Sequence, residues 1–261
     1  MNYAYVSGAS GGIGKAFAFQ LASRGENLFL TARSQEKLDS LKLEIESKFK
    51  VKVLTFACDL TKEESRLSLI EYVKNQGVKL SRINHVAGVD TQKGFLEYSL
   101  DKIHFQIRVN VESTISLTRA LLDYRAEKCK ILVISSMSGA TPMPYFAIYS
   151  ASKSMLVSFF TALKYELKNS GVSVTVVMPG AVPTRPDIIE DIKGQGIWGK
   201  LSKMSPEKLA KKSLKKADKK KLKYIPGFFN KLLNFLLKIC PKPIAYRFIA
   251  NRWKKISKDA F

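Results

Sequence analysis

Three side chains near the middle of the chain have the types and spacing for proton chemistry. Ser136 lies just beyond the apolar run Ile131 to Ile134, and Tyr149 and Lys153 follow, four residues apart. On a helix, positions i and i+4 share one face, one turn apart. A free phenol ionises near pH 10, about where a free lysine does. A neighbouring ammonium favours the phenolate, so the pair reads as a tyrosine whose pKa is lowered toward the working range of an acid/base. A serine hydroxyl at the carboxyl end of a buried strand stands where open α/β sheets bind ligands. There it can hydrogen-bond an oxygen that gains negative charge. Tyr-x-x-x-Lys is also an ordinary pairing on any helix, so the surrounding elements must decide between the two.

Those elements read as strands alternating with helices. Residues 2–6 form a first apolar strand, followed by Ser7-Gly8-Ala9-Ser10-Gly11-Gly12-Ile13-Gly14 and a helical pattern over 15–24. Strand, glycine turn and helix are the context in which backbone N–H groups hold a pyrophosphate. The next strand, 27–31, runs into Ala32-Arg33-Ser34. An NAD site would place an acid near this point for the ribose 2′-hydroxyl, whereas Arg33 suits a 2′-phosphate. Further strands are predicted over 51–57, ending at Asp59-Leu60, over 82–86, closing with Ala87-Gly88, over 131–134, and over 172–178, stopping at Pro179-Gly180. Helices fall over 35–49, 61–76, 100–124 with Asn110 inside, and 149–165. Six alternating strands, with 222–225 as a seventh, predict an α/β fold with a doubly wound, mostly parallel sheet and helices on both faces.

Composition bounds the rest. The chain has 261 residues, 46% of them apolar, enough for one large α/β core. Cys58, Cys129 and Cys240 show no metal or redox spacing, and His85 and His104 are the only histidines, so no metal site is expected. No leader-like segment opens the sequence and no run of about 18 apolar residues occurs, which points to a cytoplasmic location. Charge is uneven. Residues 200–261 carry 19 Lys+Arg and 3 Asp+Glu, against 44 and 22 for the whole chain. The reading therefore divides the chain into a catalytic domain over 1–227 and a basic tail over 228–261. Within the tail, 228–240 and 244–256 read as amphipathic helices rich in aromatics and Lys/Arg, a pattern suited to an anionic membrane surface. Asn230, Lys231, Asn234 and Lys238 are expected to form one narrow polar stripe. The glycines at 194, 196 and 199, around Ile197 and Trp198, read as a substrate lid.

Taken together, these motifs resemble the short-chain dehydrogenase/reductase family over about residues 2–227. Ser7-Gly8-x-x-x-Gly12-Ile13-Gly14 looks like its cofactor loop, and Asp59 like its adenine-side acid. Asn110, Ser136, Tyr149 and Lys153 match its catalytic tetrad, and Pro179-Gly180 with Thr184 matches its nicotinamide-side loop. The resemblance implies a Rossmann-type sheet, NADP(H) as cofactor, and cofactor contacts at Gly8, Ser10, Gly12, Ile13, Gly14, Arg33, Asp59, Leu60, Ala87, Gly88, Lys153, Pro179, Gly180 and Thr184. It also implies a homodimer or homotetramer, and a water held by Asn110 that resupplies protons to Lys153. One departure is His85-Val86, where the family carries Asn-Asn; it puts the geometry after the fourth strand in question.

The expected activity is reduction of a hydrophobic ketone or 3-oxoacyl-type carbonyl to an alcohol, with Tyr149 as the acid. Two other readings remain open: an alcohol or hydroxysteroid dehydrogenase working oxidatively, and a non-catalytic membrane-surface protein on a reductase fold. Nucleic-acid binding is not expected, because the tail is too apolar for a phosphate-binding segment.

Overall fold

The computed structural model describes residues 1–185, 188–190, 192 and 196–254. Seven strands form one sheet: β1 (Asn2–Ser7), β2 (Asn27–Ala32), β3 (Val53–Ala57), β4 (Lys79–His85), β5 (Arg125–Ile134), β6 (Val172–Val177) and β7 (Lys223–Tyr224). Their order is β3-β2-β1-β4-β5-β6-β7, and every neighbouring pair is parallel. Strands are added in one direction from β1 to β3 and in the other from β4 to β7, so the crevice for a ligand lies at the carboxyl ends of β1 and β4.

The helices are α1 (Gly12–Ala22), α2 (Gln35–Lys48), α3 (Glu63–Asn75), α4 (Leu100–Ile107), α5 (Ser113–Leu121), α6 (Ala147–Glu166), α7 (Gly196–Ser202), α8 (Pro206–Asp218), α9 (Phe228–Ile239) and α10 (Lys242–Trp253). Buried residues of α1, α2 and α8 make one core with Val6, Leu30 and Val177. Those of α3, α5 and α6 make the other, with Tyr5, Ile83 and Val174. Successive strand residues point to opposite faces, which is why strands covered on both sides read as unbroken apolar runs. Phe17 from α1 and Phe160 from α6 are fully buried, one on each side. Each such side chain contributes on the order of 1.5–3 kcal/mol.

Two elements differ from the sequence reading in ways that matter for the site. β5 begins six residues earlier than its apolar run, because its first half is polar and half exposed and pairs with β4 through a register shift. The predicted helix over 100–124 is helical but not uniform. Between α4 and α5, Arg108–Glu112 forms a π-turn with Asn110 at its centre, fully buried. Such turns occur mostly as single insertions at functional sites.

The departure at His85 is absorbed without disturbing the strand, which keeps register with Val133 of β5. The Thr118 hydroxyl donates to Thr114 O (2.7 Å), so its contact with His85 Nε2 (2.8 Å) requires the ring N–H to be the donor. Burial holds this imidazole neutral, with its pKa pulled down to about 3. At the opposite end of the sheet from the crevice, Asp218 gathers Arg24, Arg82 and Lys130, and Arg82 also binds Glu26.

Candidate active site

The first wall of the crevice is the turn from β1 into α1. Gly8 has φ of 66°, and a Cβ there would lie 2.9 Å from Ala87 Cα. A Cβ on Gly14 would lie 2.1 Å from Gly8 O, so the helix can begin this close to the strand only without a side chain. Ser7 Oγ accepts from Val86 N (3.1 Å) and Ala87 N (3.2 Å), tying the ends of β1 and β4 together. The first turn of α1 has no acidic residue and no side-chain cap, which leaves its amides available to an anion.

The second wall is built from β5, α6 and the π-turn. Of the two serines ending β5, Ser135 is committed to structure: its Oγ donates to Lys153 O (2.8 Å) and pins α6 to the strand. Ser136 faces the cavity, shares a hydrogen bond with Tyr149, and accepts from Ser138 N (3.2 Å). Lys153 Nζ donates to Ile134 O (3.1 Å) and lies 5.6 Å from the centroid of the Tyr149 ring. Asn110 accepts from Val89 N (2.8 Å) and donates to Val89 O (2.8 Å) and Ser152 Oγ (3.1 Å). Ser152 Oγ in turn donates to Tyr149 O (2.7 Å). With both amide donors spent, Asn110 acts here as a brace between the Gly88–Val89 turn and the first turns of α6. A Cβ on Gly88 would meet Lys153 Nζ at 2.9 Å and Asn110 Oδ1 at 3.4 Å, so that glycine keeps the space above both open.

The electrostatics correct one expectation. Burial pushes the Tyr149 phenol well above its ordinary value, the Asp90 carboxylate adds to that push, and Ser136 and Arg185 only partly offset it. The Lys153 ammonium, itself disfavoured by burial, does not bring the phenol back to its ordinary value. Desolvation pulls Lys153 down to about 8, with Asp90 opposing. A tyrosine in this state is a proton donor throughout the neutral range. Asp90, unmarked in the sequence reading, faces Arg185 across the cavity at 3.3 Å.

The other expected cofactor contacts line up along the same edge. Ile13, Gly88, Pro179, Gly180 and Thr184 line the cavity with the catalytic cluster, and a Cβ on Gly12 would touch the Thr184 side chain at 3.0 Å. Ser10 is exposed on the glycine turn and Arg33 is exposed beyond β2. Asp59 accepts from Thr61 N (3.0 Å) and Oγ1 (2.7 Å). Burial works to raise its carboxyl, but those bonds and the nearby Lys62 and Arg33 cations hold it below the usual value. Leu60 O accepts from Arg66 (2.7 Å), fixing the loop after β3. The glycine cradle, the uncapped helix and an acid on the far side fit a dinucleotide. Among the described residues, no group of His, Cys, Asp or Glu gathers as metal ligands.

The family model for short chain dehydrogenase matches residues 2–189. That match spans the glycine turn, the Tyr149–Lys153 helix and the strand that ends at Pro179. This chain belongs to the short-chain dehydrogenase family. Similar relatives include the very-long-chain 3-oxoacyl-CoA reductase of Bos taurus, 37% identical over 82% of this chain and 67% of that protein. The reductase of the same name from Homo sapiens is 33% identical over the same shares. That of Scheffersomyces stipitis is 36% identical over 67% of this chain and 54% of its own length. The chain thus spans about half to two thirds of these relatives. Among solved structures, a 7beta-hydroxysteroid dehydrogenase superposes with a TM-score of 0.84, covering 95% of this chain and 96% of that one at 23% identity, a likeness of fold. L-sorbose reductase from Gluconobacter frateurii, complexed with NADPH and L-sorbose, gives 0.77 at 25% identity, covering 87% of this chain and 95% of that one.

In this dehydrogenase the catalytic cavity has a volume of about 350 Å³. Met137, Met143 and Phe146 line it, as expected from the stretch after β5, and so do Thr184, Arg185, Ile188 and Ile192 from the stretch after β6. Of the glycine-rich lid expected over 183–203, residues 186, 187, 191 and 193–195 lie outside the described residues, as does everything concerning the Ile197 and Trp198 side chains. The sequence reading missed the cavity lining contributed by α9 and α10. The Asn230–Lys238 stripe also divides: Asn230 is buried and donates to Ser202 O (3.1 Å) and Pro226 O (2.8 Å), while Lys231 and Lys238 are exposed. Residues 255–261 of the tail lie outside the described residues.

Proposed function

We propose that this chain reduces the keto group of a 3-oxoacyl thioester to an alcohol, using NADPH. The observation that carries this reading is a cavity in which Ser136, Tyr149 and Lys153 converge near Asp90 and Arg185, while Leu233, Leu237, Phe248, Ile249 and Trp253 add an apolar stretch of lining. The names of the similar reductases supply the substrate class, and Arg33 supports the phosphorylated cofactor. Gly88, Pro179 and Gly180, which line the cavity, would hold a reduced nicotinamide, and that group would supply the hydride. Tyr149 gives its proton to the carbonyl oxygen as charge develops there. Ser136 hydrogen-bonds the same oxygen. Lys153 supplies positive charge beneath the tyrosine ring, and Asn110 fixes the turn on which both depend.

The expected result is that 3-oxohexadecanoyl-CoA drives NADPH oxidation faster than NADH oxidation. Arg33→Ala should weaken NADPH use by about tenfold or more, the scale of one charge-assisted contact, and leave NADH use nearly unchanged. Equal losses with both cofactors would show that Arg33 does not read the 2′-phosphate. An absence of NADPH oxidation by the wild type with 3-oxoacyl thioesters of any length would overturn the substrate class.

The reading includes a peripheral position on an anionic membrane and a second copy of the chain. Among the described residues, no helix is long and apolar enough to cross a membrane. On α9, however, Phe228 is 81% exposed, Phe235 58% and Ile239 64%, with Lys231, Lys238 and Lys242 beside them. Each well-placed cation adds about 1 kcal/mol of attraction to anionic lipid. Leu100 and Ile107 on α4, with Met155 on α6, are exposed where a second copy would pack. One sedimentation experiment addresses both points. The protein alone is expected to run as a dimer or tetramer, and at low salt to pellet with phosphatidylserine vesicles but not with phosphatidylcholine ones. A monomer, or protein left in the supernatant with both vesicle types, removes the corresponding part of the reading.

A further inference from the structure

The apolar wall of the catalytic cavity is not built by the sheet and its flanking helices alone. Its far side is made by Leu233 and Leu237 of α9 and by Phe248, Ile249 and Trp253 of α10. Two contacts fix these helices to the machinery. The Asn230 side chain occupies the place a Cβ on Gly180 would take, 2.8 Å from it, so α9 is clamped against the loop that follows β6. The Trp253 ring stacks on Phe146 (centroids 6.1 Å apart, planes at 17°), and Phe146 packs on Tyr149 (4.5 Å). The end of α10 therefore reaches the reacting phenol through a single intervening ring.

Among the described large apolar residues that line the cavity, Phe248 is the exposed one, at 54%. On the same two helices Phe228, Leu232, Phe235, Leu236, Ile239 and Ile244 are also exposed, interspersed with exposed Lys231, Lys238, Lys242 and Arg247. Phe248 thus belongs both to the cavity lining and to the exposed apolar residues of these helices.

We infer that α9 and α10 form the acyl-chain site of the enzyme, with Phe248 as its doorway. The occupant is a long unbranched acyl chain. It lies along Leu233 and Leu237 with its 3-oxo group at Tyr149, and it enters from the outward apolar face of the same helices. The choice of occupant rests on the apolar stretch of lining that α9 and α10 add beside the polar cluster. A ligand with one reactive polar end and a long apolar remainder satisfies both ends, whereas a compact polar ketone leaves the helical wall uncovered. Exposed apolar residues on the helices that line the cavity offer an incoming chain contacts outside water, each methylene favouring the apolar side by about 0.8 kcal/mol. This inference deepens the 3-oxoacyl reading and rests on it for the position of the reacting group.

Saturated thioesters, which have no keto group to reduce, read the chain site separately from the chemistry. Calorimetric titration of the full chain with palmitoyl-CoA and butanoyl-CoA is expected to show at least about a hundredfold preference for the longer chain. Leu237→Trp, which fills the channel, and Leu233→Ser, which makes its wall polar, should each shrink that preference by about tenfold or more. Thermal midpoints identify a variant that has unfolded, and the two substitutions act by opposite changes in volume, so one can stand for the other. Equal binding of the two thioesters by the wild type, or a preference unchanged in a folded variant of either kind, overturns the inference. Chain-dependent binding without turnover of any 3-oxoacyl thioester would instead leave the site in place and remove the proposed activity.

Discussion

Tyr149→Phe is expected to lower carbonyl reduction by about 10²–10⁴-fold, the range contributed by a positioned general acid. The substitution removes one hydroxyl and keeps the ring, so the packing on Phe146 at 4.5 Å and the position of Lys153 over the ring are retained. The thermal midpoint should fall by no more than a few degrees, because the lost bond to Ser136 is worth only about 1 kcal/mol net. The wild-type pH profile supplies a second reading of the same group. Burial and the Asp90 carboxylate raise the phenol above its ordinary value, so Tyr149 stays protonated across the neutral and mildly alkaline range. Any decline in reduction between pH 7 and 9 must then come from another group, and Lys153, pulled down to about 8, is the one placed to cause it. A Phe variant that keeps more than about a hundredth of the wild-type rate would show that the proton comes from elsewhere.

The alternation of strands and helices, the glycine cradle and the Ser136–Tyr149–Lys153 cluster were legible in the sequence because each leaves local signals. Apolar runs report strands covered on both faces, glycines report a turn with no room for Cβ, and the four-residue step from Tyr149 to Lys153 reports a shared helix face. What escaped depends on contacts between distant segments. Residue types alone do not divide Ser135 from Ser136; the family resemblance selected Ser136, and the approach of α6, which commits Ser135 to Lys153 O, gives the physical reason. The π-turn at Asn110 carries no period of its own, so a reading by periodicity returns one long helix. Asp90 follows the Ala87-Gly88 turn with no motif around it, yet it bears on both Tyr149 and Lys153. For α9 the composition was read correctly and the orientation was not. A helix with apolar residues on most of its circumference has no single inward face, and Asn230, which would point outward on a solvated helix, turns inward because Ser202 O and Pro226 O accept its amide protons. Orientation of such a helix is decided by the surface it meets, which here is the cavity wall and the loop after β6.

Lys153→Met is expected to make the protein more stable and catalytically inert. Lys153 is 3% exposed, its Nζ donates to Ile134 O at 3.1 Å, and among the described residues no carboxylate forms an ion pair with it. Burial disfavours its charged form, lowering its pKa from 10.5 to about 8. An unfolded lysine therefore holds its proton more tightly than the folded one. Below about pH 8 both states are protonated and the fold carries the whole cost, about 3 kcal/mol at 1.36 kcal/mol per unit. Between about pH 8 and 10.5 the unfolded chain binds more protons than the native one, so wild-type stability rises with pH through that window. Methionine keeps an unbranched chain of similar length without the charge. It forfeits the bond to Ile134 O, worth about 1 kcal/mol, leaving a net gain of about 2 kcal/mol at pH 7. For a chain of this size that corresponds to a thermal midpoint higher by about 4–8 °C. The gap between variant and wild type should then narrow as pH approaches 10, while reduction is lost at every pH. A midpoint at pH 7 no higher than that of the wild type, or a gap that does not change with pH, would show that the ammonium is better solvated than its burial implies. The same measurement tests why the site keeps a destabilising group. A cation held under the reacting phenol opposes stability in the free protein, and its contribution appears only when negative charge develops above it.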